Sequence, residues 1–319
     1  MKNTVAVIIV NWNSWSLLAR CLQALAAQTY RDFTVTIFDN ASQETMPLDM
    51  LSGFPQARLV RNDCNIGFAA ANNLAVQKYT GDSAWIALLN PDAFPQADWL
   101  AQLMSATESH PDCAVFASRL LDAADPTRLD GDGDIYHISG RAWRAGRGQK
   151  VPQHSPSAYP VFAPCAAAGL YRRSAYNAVD GFDEDFFCYF EDVDLGFRLQ
   201  LAGYACLLIP GAIVQHMGSA TSGGQHGDFA VYHGHRNLVW TYFKNMPGLL
   251  FWIFLPLHLA INLATLLQYG QRPGLILRAK RDALLGLPRM LRKRRSIQGR
   301  RRVGIANIWR ILDKRLLPK

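Results

Sequence analysis

The chain has 319 residues, half of them apolar and only 18% charged, and it carries a net charge of +8. A charged fraction below the usual quarter points to a large core or a membrane contact, the length suits about two domains, and the composition excludes a disordered chain, a collagen-like repeat and a small disulfide scaffold. Residues 271–319 hold 16 of the 33 Lys and Arg against two acids, a net +14 that leaves −6 for residues 1–270, so an anionic partner is expected for the tail.

Val5–Val10 is a short β-branched run, the pattern of a strand buried on both faces. It is too short for a signal-peptide core, and Asn11 and Asn13 end it, so no export signal is expected. Residues 16–28 place Leu17, Leu18, Cys21, Leu22 and Leu25 at helical spacing. A second strand ends in Asp39, a third spans 58–62, a helix covers Phe68–Lys78, and a fourth strand over 85–93 runs into the polar turn Asn90–Asp92. This alternation predicts an α/β fold with a parallel sheet and helices on both faces. Ligands bind such sheets beyond the carboxyl ends of the strands, where Asn11, Asn13, Asp39, Asn62 and Asp92 gather.

Residues 122–160, rich in Gly, Asp and Arg, read as a long loop or small excursion over the sheet. Asp130, Asp132 and Asp134 alternate within it like a calcium loop, but Ile135 and Arg141 occupy the positions that need Gly and Glu, so calcium is rejected there. Glu191, Asp192 and Asp194 follow a mostly aromatic run and open a helix, where acids suit the helix dipole. An apolar wall beside a carboxylate also raises its pKa and tunes it as a base. Residues 207–216 read as a strand ending at His216. The six cysteines are scattered, with no C-x-x-C and no Cys/His pair at zinc spacing, which suits a reducing compartment.

VAVIIVNWNSWSLLARCLQAL, FDNAS at 38–42, NIGFAAANN at 65–73, LLNPDAF at 88–94, CAAAGLYRRSAY at 165–176, GFDEDFFCYFEDVDLGFRLQLAGY at 181–204, HMGSAT at 216–221 and HGHRNLVWTYFKNMP at 233–247 occur in that order. In these segments the chain resembles inverting family 2 glycosyltransferases of the GT-A fold, above all rhamnosyltransferase-like members that build bacterial cell-surface polysaccharides. The resemblance covers about residues 4–245 and implies a Rossmann-like, mixed but mainly parallel sheet flanked by helices, followed by a membrane-associating tail at 246–319. It implies Asn11, Asn13 and Asp39 around the nucleoside, and Asn65 and Asn72 near the nucleotide sugar. Asn90-Pro91-Asp92 stands where the family carries its D-x-D metal motif, so Asp92 would hold Mg²⁺ or Mn²⁺ while Asn90, which lacks a charge, would hydrogen-bond the ribose or a metal-bound water. His216 would help to bind metal or diphosphate. Asp192 would be the general base, with Glu191 positioning the acceptor or bracing Asp192, and Arg236 and Asn237 would touch the diphosphate. Asp194 and Arg198, spaced i, i+4, read as a structural ion pair. The implied donor is dTDP-rhamnose or a UDP-sugar, and the acceptor a saccharide, often lipid-linked. A nucleotidyltransferase, or a non-catalytic basic adaptor for membrane or nucleic acid, are the other readings.

Residues 247–271 contain no Lys, Arg, Asp or Glu, and 249–269 are long enough to span a bilayer. Pro256, His258 and Asn262 near the middle argue against a simple span. A single span would also put the basic tail and the catalytic body on opposite sides, leaving the body away from its nucleotide sugars. An in-plane or re-entrant segment is therefore expected, at the cytoplasmic face of the bacterial inner membrane. Residues 275–295 alternate apolar and basic residues at helical spacing, as an amphipathic helix on anionic lipid does. No nucleic-acid-binding motif accompanies them.

Overall fold

The computed structural model describes residues 4–47, 50–51, 54, 57–154, 157–218, 227–268 and 272–315. Residues 219–221 of the HMGSAT segment and residue 269 of the apolar run lie outside the described residues. The first half alternates β1 (Val5–Asn11), α1 (Trp15–Ala26), β2 (Phe33–Asp39), β3 (Ala57–Arg61), α2 (Phe68–Tyr79) and β4 (Trp85–Leu89). Next come β5 (Ala93–Pro95), α3 (Trp99–Ser109), β6 (Val115–Asp122), β7 (Leu129–Gly131), β8 (Asp134–Tyr136), β9 (Ala142–Arg144), β10 (Tyr159–Val161) and β11 (Ala168–Arg172). After these follow α4 (Arg173–Ala178), α5 (Glu191–Leu201), β12 (Cys206–His216), α6 (Asp228–Asn245), α7 (Gly248–Gln268), α8 (Pro273–Gly299) and α9 (Ile305–Ile311).

The main sheet runs β10-β12-β6-β11-β4-β1-β2-β3, with β5 and β7 pairing off this path to β12 and β6. β1 is parallel to β2 and β4, β2 to β3, and β12 to β6, whereas β11 is antiparallel between β4 and β6. The expected α/β fold with a mixed, mainly parallel sheet is what forms. β1 shows why its sequence lacks alternation. Val5, Val7 and Ile9 join one core with α1 and α3, while Ile8 and Val10 join another with α2, α4 and α5. Both faces are covered, and each fully buried Val or Ile contributes about 1.5–3 kcal/mol.

The 122–160 region departs from the loop expectation. β7 pairs with β6, and β8 pairs with β9 as a separate two-stranded sheet. Its runs are only three residues long, too short to register as a periodic pattern. The fourth expected strand is also divided: the turn at 90–92 separates β4 from β5, and β5 pairs antiparallel with the end of β12, setting Ala93 opposite His216.

The C-terminal segment folds back on the body. α8 lies along α6, Trp240 Nε1 donates to the Ala283 carbonyl at 2.9 Å, and a Cβ added at Gly286 would fall 2.5 Å from the Trp240 ring. Arg294 Nη1 donates to the Met246 carbonyl at 2.6 Å, and Ile308 and Leu312 complete a core with Phe197, Tyr242 and Phe251.

Candidate active site

A cleft of about 550 Å³ opens at the carboxyl ends of the central strands. On one side are Trp12, Ser14, Asn40, Asn65 and Gly67; Asn90, Pro91, Asp92, Arg144 and His216 form a second group; Phe187–Asp192 and Phe229 form a third.

The first group is built by turn chemistry. Asn40 Nδ2 donates to Asn65 Oδ1 at 2.9 Å, and Asn40 Oδ1 accepts from Ile66 N at 3.0 Å. Asn65 Oδ1 also accepts from Gly67 N at 2.9 Å, which closes the turn before α2. Gly67 has φ +86°, and a Cβ there would meet the Phe187 ring at 2.5 Å, so only glycine fits. Asn11 and Asp39 are buried behind this wall: Asn11 Nδ2 donates to Ser42 Oγ at 3.3 Å, and Asp39 Oδ1 accepts from Ser42 N at 3.2 Å. Asn13, at φ 51°, accepts through Oδ1 from Gln43 N (2.7 Å) and Glu44 N (3.3 Å). Asn72 donates to the Phe68 carbonyl one helical turn back. Asn13 Oδ1 and Asn72 Nδ2 thus bond backbone, and neither residue lines the cleft. Asn40 and Trp12, which the sequence pattern passed over, stand in the cleft instead.

In the second group, His216 Nδ1 lies 2.7 Å from Asp130 Oδ2. A carboxylate only accepts, so Nδ1 carries the proton and Nε2 is aimed at Asp92 Oδ1, 3.4 Å away. Burial opposes protonation of His216, but the bond to Asp130 and the nearby Asp92 carboxylate outweigh that and raise its pKa. Nε2 is buried without good hydrogen-bond geometry to any protein group, and so is Asn90 Oδ1. Two ligands about 2.1 Å from one octahedral cation lie about 3 Å apart, so this pair fits a shared Mg²⁺ or Mn²⁺. Asp130 fixing the far ring nitrogen is the usual support for a metal-binding imidazole. Among the described residues no three acidic, His or Cys side chains form a complete metal cage. Arg144 reaches Asp130 through Nη1, which also lies 3.3 Å from His216 Nδ1.

The third group sits at the start of α5. A Cβ at Gly196 would fall 2.2 Å from the Ala163 Cβ, so glycine lets α5 close onto the 162–166 segment. That approach brings Asp192 Oδ2 to Ala166 N at 3.2 Å, while Oδ1 accepts from Val193 N at 2.8 Å. Burial raises the Asp192 pKa, and these N–H groups and Arg144 offset only part of that. Burial, then the Asp192 charge, pushes Glu191 and Asp134 far above the usual carboxylate range. The loop ahead of α5 holds Phe187, Tyr189 and Phe190 at φ 66–67°. Such residues cost about 1–3 kcal/mol each and persist only where the surroundings enforce them. Asn237 enforces them: its Nδ2 lies 3.0, 3.0 and 2.7 Å from the carbonyls of Phe186, Cys188 and Tyr189. Arg236 Nη2 donates to the Phe186 carbonyl at 2.8 Å, and its guanidinium lies over the Trp240 ring. Arg236 therefore braces the loop, and it does not line the cleft. Asp194 is buried and pairs with Arg198 at 2.8 Å and Lys244 at 2.7 Å, as a structural group.

Residues 6–179 match the sequence model of "Glycosyl transferase family 2". The chain belongs to this family. It is 27% identical over 261 residues to the N-acetylglucosaminyl-diphospho-decaprenol L-rhamnosyltransferase of Mycobacterium tuberculosis, covering 73% of this chain and 82% of that one. The crystal structure of S. aureus TarS residues 1–349 superposes with a TM-score of 0.57 at 16% identity, over 95% of this chain and 88% of that one. GalNAc-T7, crystallised with UDP, GalNAc and Mn²⁺, gives 0.56 at 16% identity and 67% of this chain, which spans 43% of that longer chain. These superpositions establish the GT-A-like fold. This family 2 glycosyltransferase thus carries Asp92 inside the matched segment, whereas Glu191, Asp192 and His216 lie beyond it and rest on cleft geometry.

Proposed function

We propose that the protein moves a sugar, L-rhamnose from dTDP-rhamnose in the first instance, from a nucleotide-diphosphate donor to a lipid-linked saccharide with inversion at the anomeric carbon, in cell-envelope polysaccharide synthesis. The observation that carries this reading is that Asp192 shares one cleft with Asp92 and His216. Asp192 is the general base. It accepts the acceptor hydroxyl proton as that oxygen bonds to the anomeric carbon, while the bond from that carbon to the phosphate oxygen breaks and its electron pair leaves with the diphosphate. Its raised pKa brings its proton affinity closer to that task. Glu191 is buried beside the base with Oε2 unpartnered, and burial, then the Asp192 charge, raises its pKa; it braces Asp192 or positions the acceptor. Asp92 and His216 would hold the divalent cation, which when bound neutralises charge on the leaving group. Asn40 and Asn65 shape the nucleoside side, with Asp39 and Asn11 behind them. The mycobacterial relative's name supports both rhamnose and the polyprenyl diphosphate acceptor.

Membrane attachment through residues 246–319 is part of the proposal, and α7 supports it. His258 and Asn262 face the protein. His258 is buried, stacks on Tyr242 at 4.0 Å and bonds the Ser139 carbonyl through Nδ1 at 2.8 Å, while Asn262 accepts from Lys280 Nζ. The opposite face is apolar and exposed: Leu249, Trp252, Ile253, Leu259 and Leu263 are 53–68% exposed. Gly248–Thr265 is apolar enough to cross a membrane, but a helix with one side packed on a catalytic domain suits lying in the interface. Exposed Arg278, Arg281, Arg292 and Arg295 of α8 suit anionic headgroups on the cytoplasmic leaflet.

Purified protein offered dTDP-rhamnose and UDP-sugars with N-acetylglucosaminyl-diphospho-polyprenol tests the reading. Sugar transfer with nucleoside diphosphate release is the expected outcome. Pyrophosphate release would instead indicate nucleotidyl transfer, and no turnover with any donor would refute the proposal.

A further inference from the structure

We propose that Arg144 is a built-in cation for the diphosphate of the donor, and that Asp130 positions it together with His216. The inference rests on the donor reading above. Arg144 is one of two cleft-lining basic side chains among the described residues, the other being His216, whereas Asp92, Glu191 and Asp192 line the same cleft. An incoming diphosphate meets a wall of carboxyl groups unless cations intervene. The motif at 90–92 carries an amide at Asn90, so one negative charge for holding a metal ion is missing there. A guanidinium nearby makes good the lost positive field without having to be loaded from solution, and its planar fork matches phosphate oxygens.

The geometry is that of a positioned group. Arg144 is placed at the end of β9, directly opposite Asp134 in the β8–β9 register. Its Nη1 bonds Asp130 Oδ2, the same oxygen that takes the His216 Nδ1 proton at 2.7 Å, and Arg147 Nε lies 3.5 Å from the other oxygen. Those contacts run through Nη1, so Nε and Nη2 carry the donors for a second anion. A single carboxylate therefore aims two cleft groups, one at the phosphates and one at the cation site beside Asp92. A purely structural Arg144 would neutralise Asp130 and do nothing for a ligand. The two roles differ in how they treat a second phosphate group.

Isothermal titration of the full chain with dTDP and UDP, and with dTMP and UMP, in EDTA and in Mn²⁺, separates them. For Arg144→Gln the diphosphate affinity is expected to fall about ten- to a hundredfold, while monophosphate affinity changes less than about threefold on the same scale. The diphosphate loss persists in EDTA. Arg144→Lys keeps the ion pair with Asp130, and so the fold, but lacks the fork; it should lose several-fold for the diphosphates alone. Asp130→Asn should weaken diphosphate binding in EDTA and also blunt the gain that Mn²⁺ gives. Wild-type diphosphate affinity in either Arg144 variant, or equal losses for mono- and diphosphates, overturns the assignment while leaving the donor reading intact. A wild-type protein that binds none of the four nucleotides overturns both.

Discussion

Replacing Asp192 by Asn tests the proposed mechanism most directly, because the structure separates its chemical effect from its structural one. The amide has the same shape. Its oxygen can keep the Val193 N–H bond (2.8 Å), while its NH₂ group would face the Ala166 N–H, now 3.2 Å from Oδ2. Losing that one bond costs about 1 kcal/mol. Removing a partly buried negative charge from beside Glu191 and Asp134, both raised in pKa by burial and then by that charge, offsets this. Stability should therefore stay within about 1 kcal/mol of wild type. Turnover should not: a general base contributes about 10²–10⁴-fold, or roughly 2.7–5.4 kcal/mol of barrier. The assay is nucleoside diphosphate release at saturating donor and acceptor, beside donor affinity by calorimetry. A fall of at least about a hundredfold in kcat with unchanged donor affinity is expected. In the wild type, the acid limb of kcat/KM should lie above the ordinary Asp value of about 3.9, since burial raises the Asp192 pKa. Near-wild-type turnover in the variant would refute the base assignment outright.

Three further outcomes follow from particular contacts. Asp134 is buried and its pKa is raised, so its ionisation costs stability as pH rises through the folded value; Asp134→Asn should melt with wild type near pH of about 4 and above it towards pH of about 8, and a pH-independent difference would count against this. Asn237→Ala should leave the Cys188 and Tyr189 carbonyls without their side-chain donor while Arg236 keeps the Phe186 carbonyl, lowering stability by about 2 kcal/mol and kcat about tenfold with donor affinity retained; loss of donor binding would show that the loop serves the nucleotide instead. Trp252→Glu with Leu263→Glu should cut sedimentation with phosphatidylglycerol vesicles at least about tenfold without changing the melting temperature, since both side chains face outward; unchanged sedimentation would remove α7 from the membrane contact.

The sheet was legible because β1, β2 and β4 are apolar runs cut off by Asn or Asp, a signal that comes from burial on both faces; of the polar residues at those ends, Asp92 lines the cleft. Glu191 and Asp192 were legible as acids opening a helix behind an aromatic run. Arg144 was not. It lies in a three-residue strand with no period, and its partner Asp130 sits in an Asp-x-Asp-x-Asp run that resembles a calcium loop more than an arginine site. One clue was available: buried acids need cations, and the Asp130–Asp134 run is followed closely by Arg141, Arg144 and Arg147. Asn13, Asn72 and Arg236 bond the protein's own backbone. Asn and Arg satisfy backbone carbonyls and N–H groups as readily as ligands, and sequence alone does not say which partner a strained turn will demand.

The basic tail shows why net charge misleads about mechanics. Residues 271–319 carry +14, yet part of that charge points inward. Lys293 meets Asp185 at 2.7 Å and also Asp183, Arg289 meets Asp185 at 2.8 Å, and Lys244 of α6 meets Asp183 as well. Burial alone would raise the Asp183 pKa, but Lys244 and Lys293 hold it well below the usual range. Its contribution to stability is therefore present above the unfolded carboxylate value and lost as pH falls through the depressed folded one. Asp183 and Asp185 open the turn that leads into Phe187–Phe190 and then Asp192. The loop is thus held by Asn237 of α6 and by the cations of α8, which ties the segment proposed to meet lipid to the start of the helix carrying the base. On the membrane reading, this connection has a use. An acceptor anchored in the bilayer presents its hydroxyl at a set height, and a base tied through α8 to the lipid-facing surface is held at a matching height without a search over domain orientations.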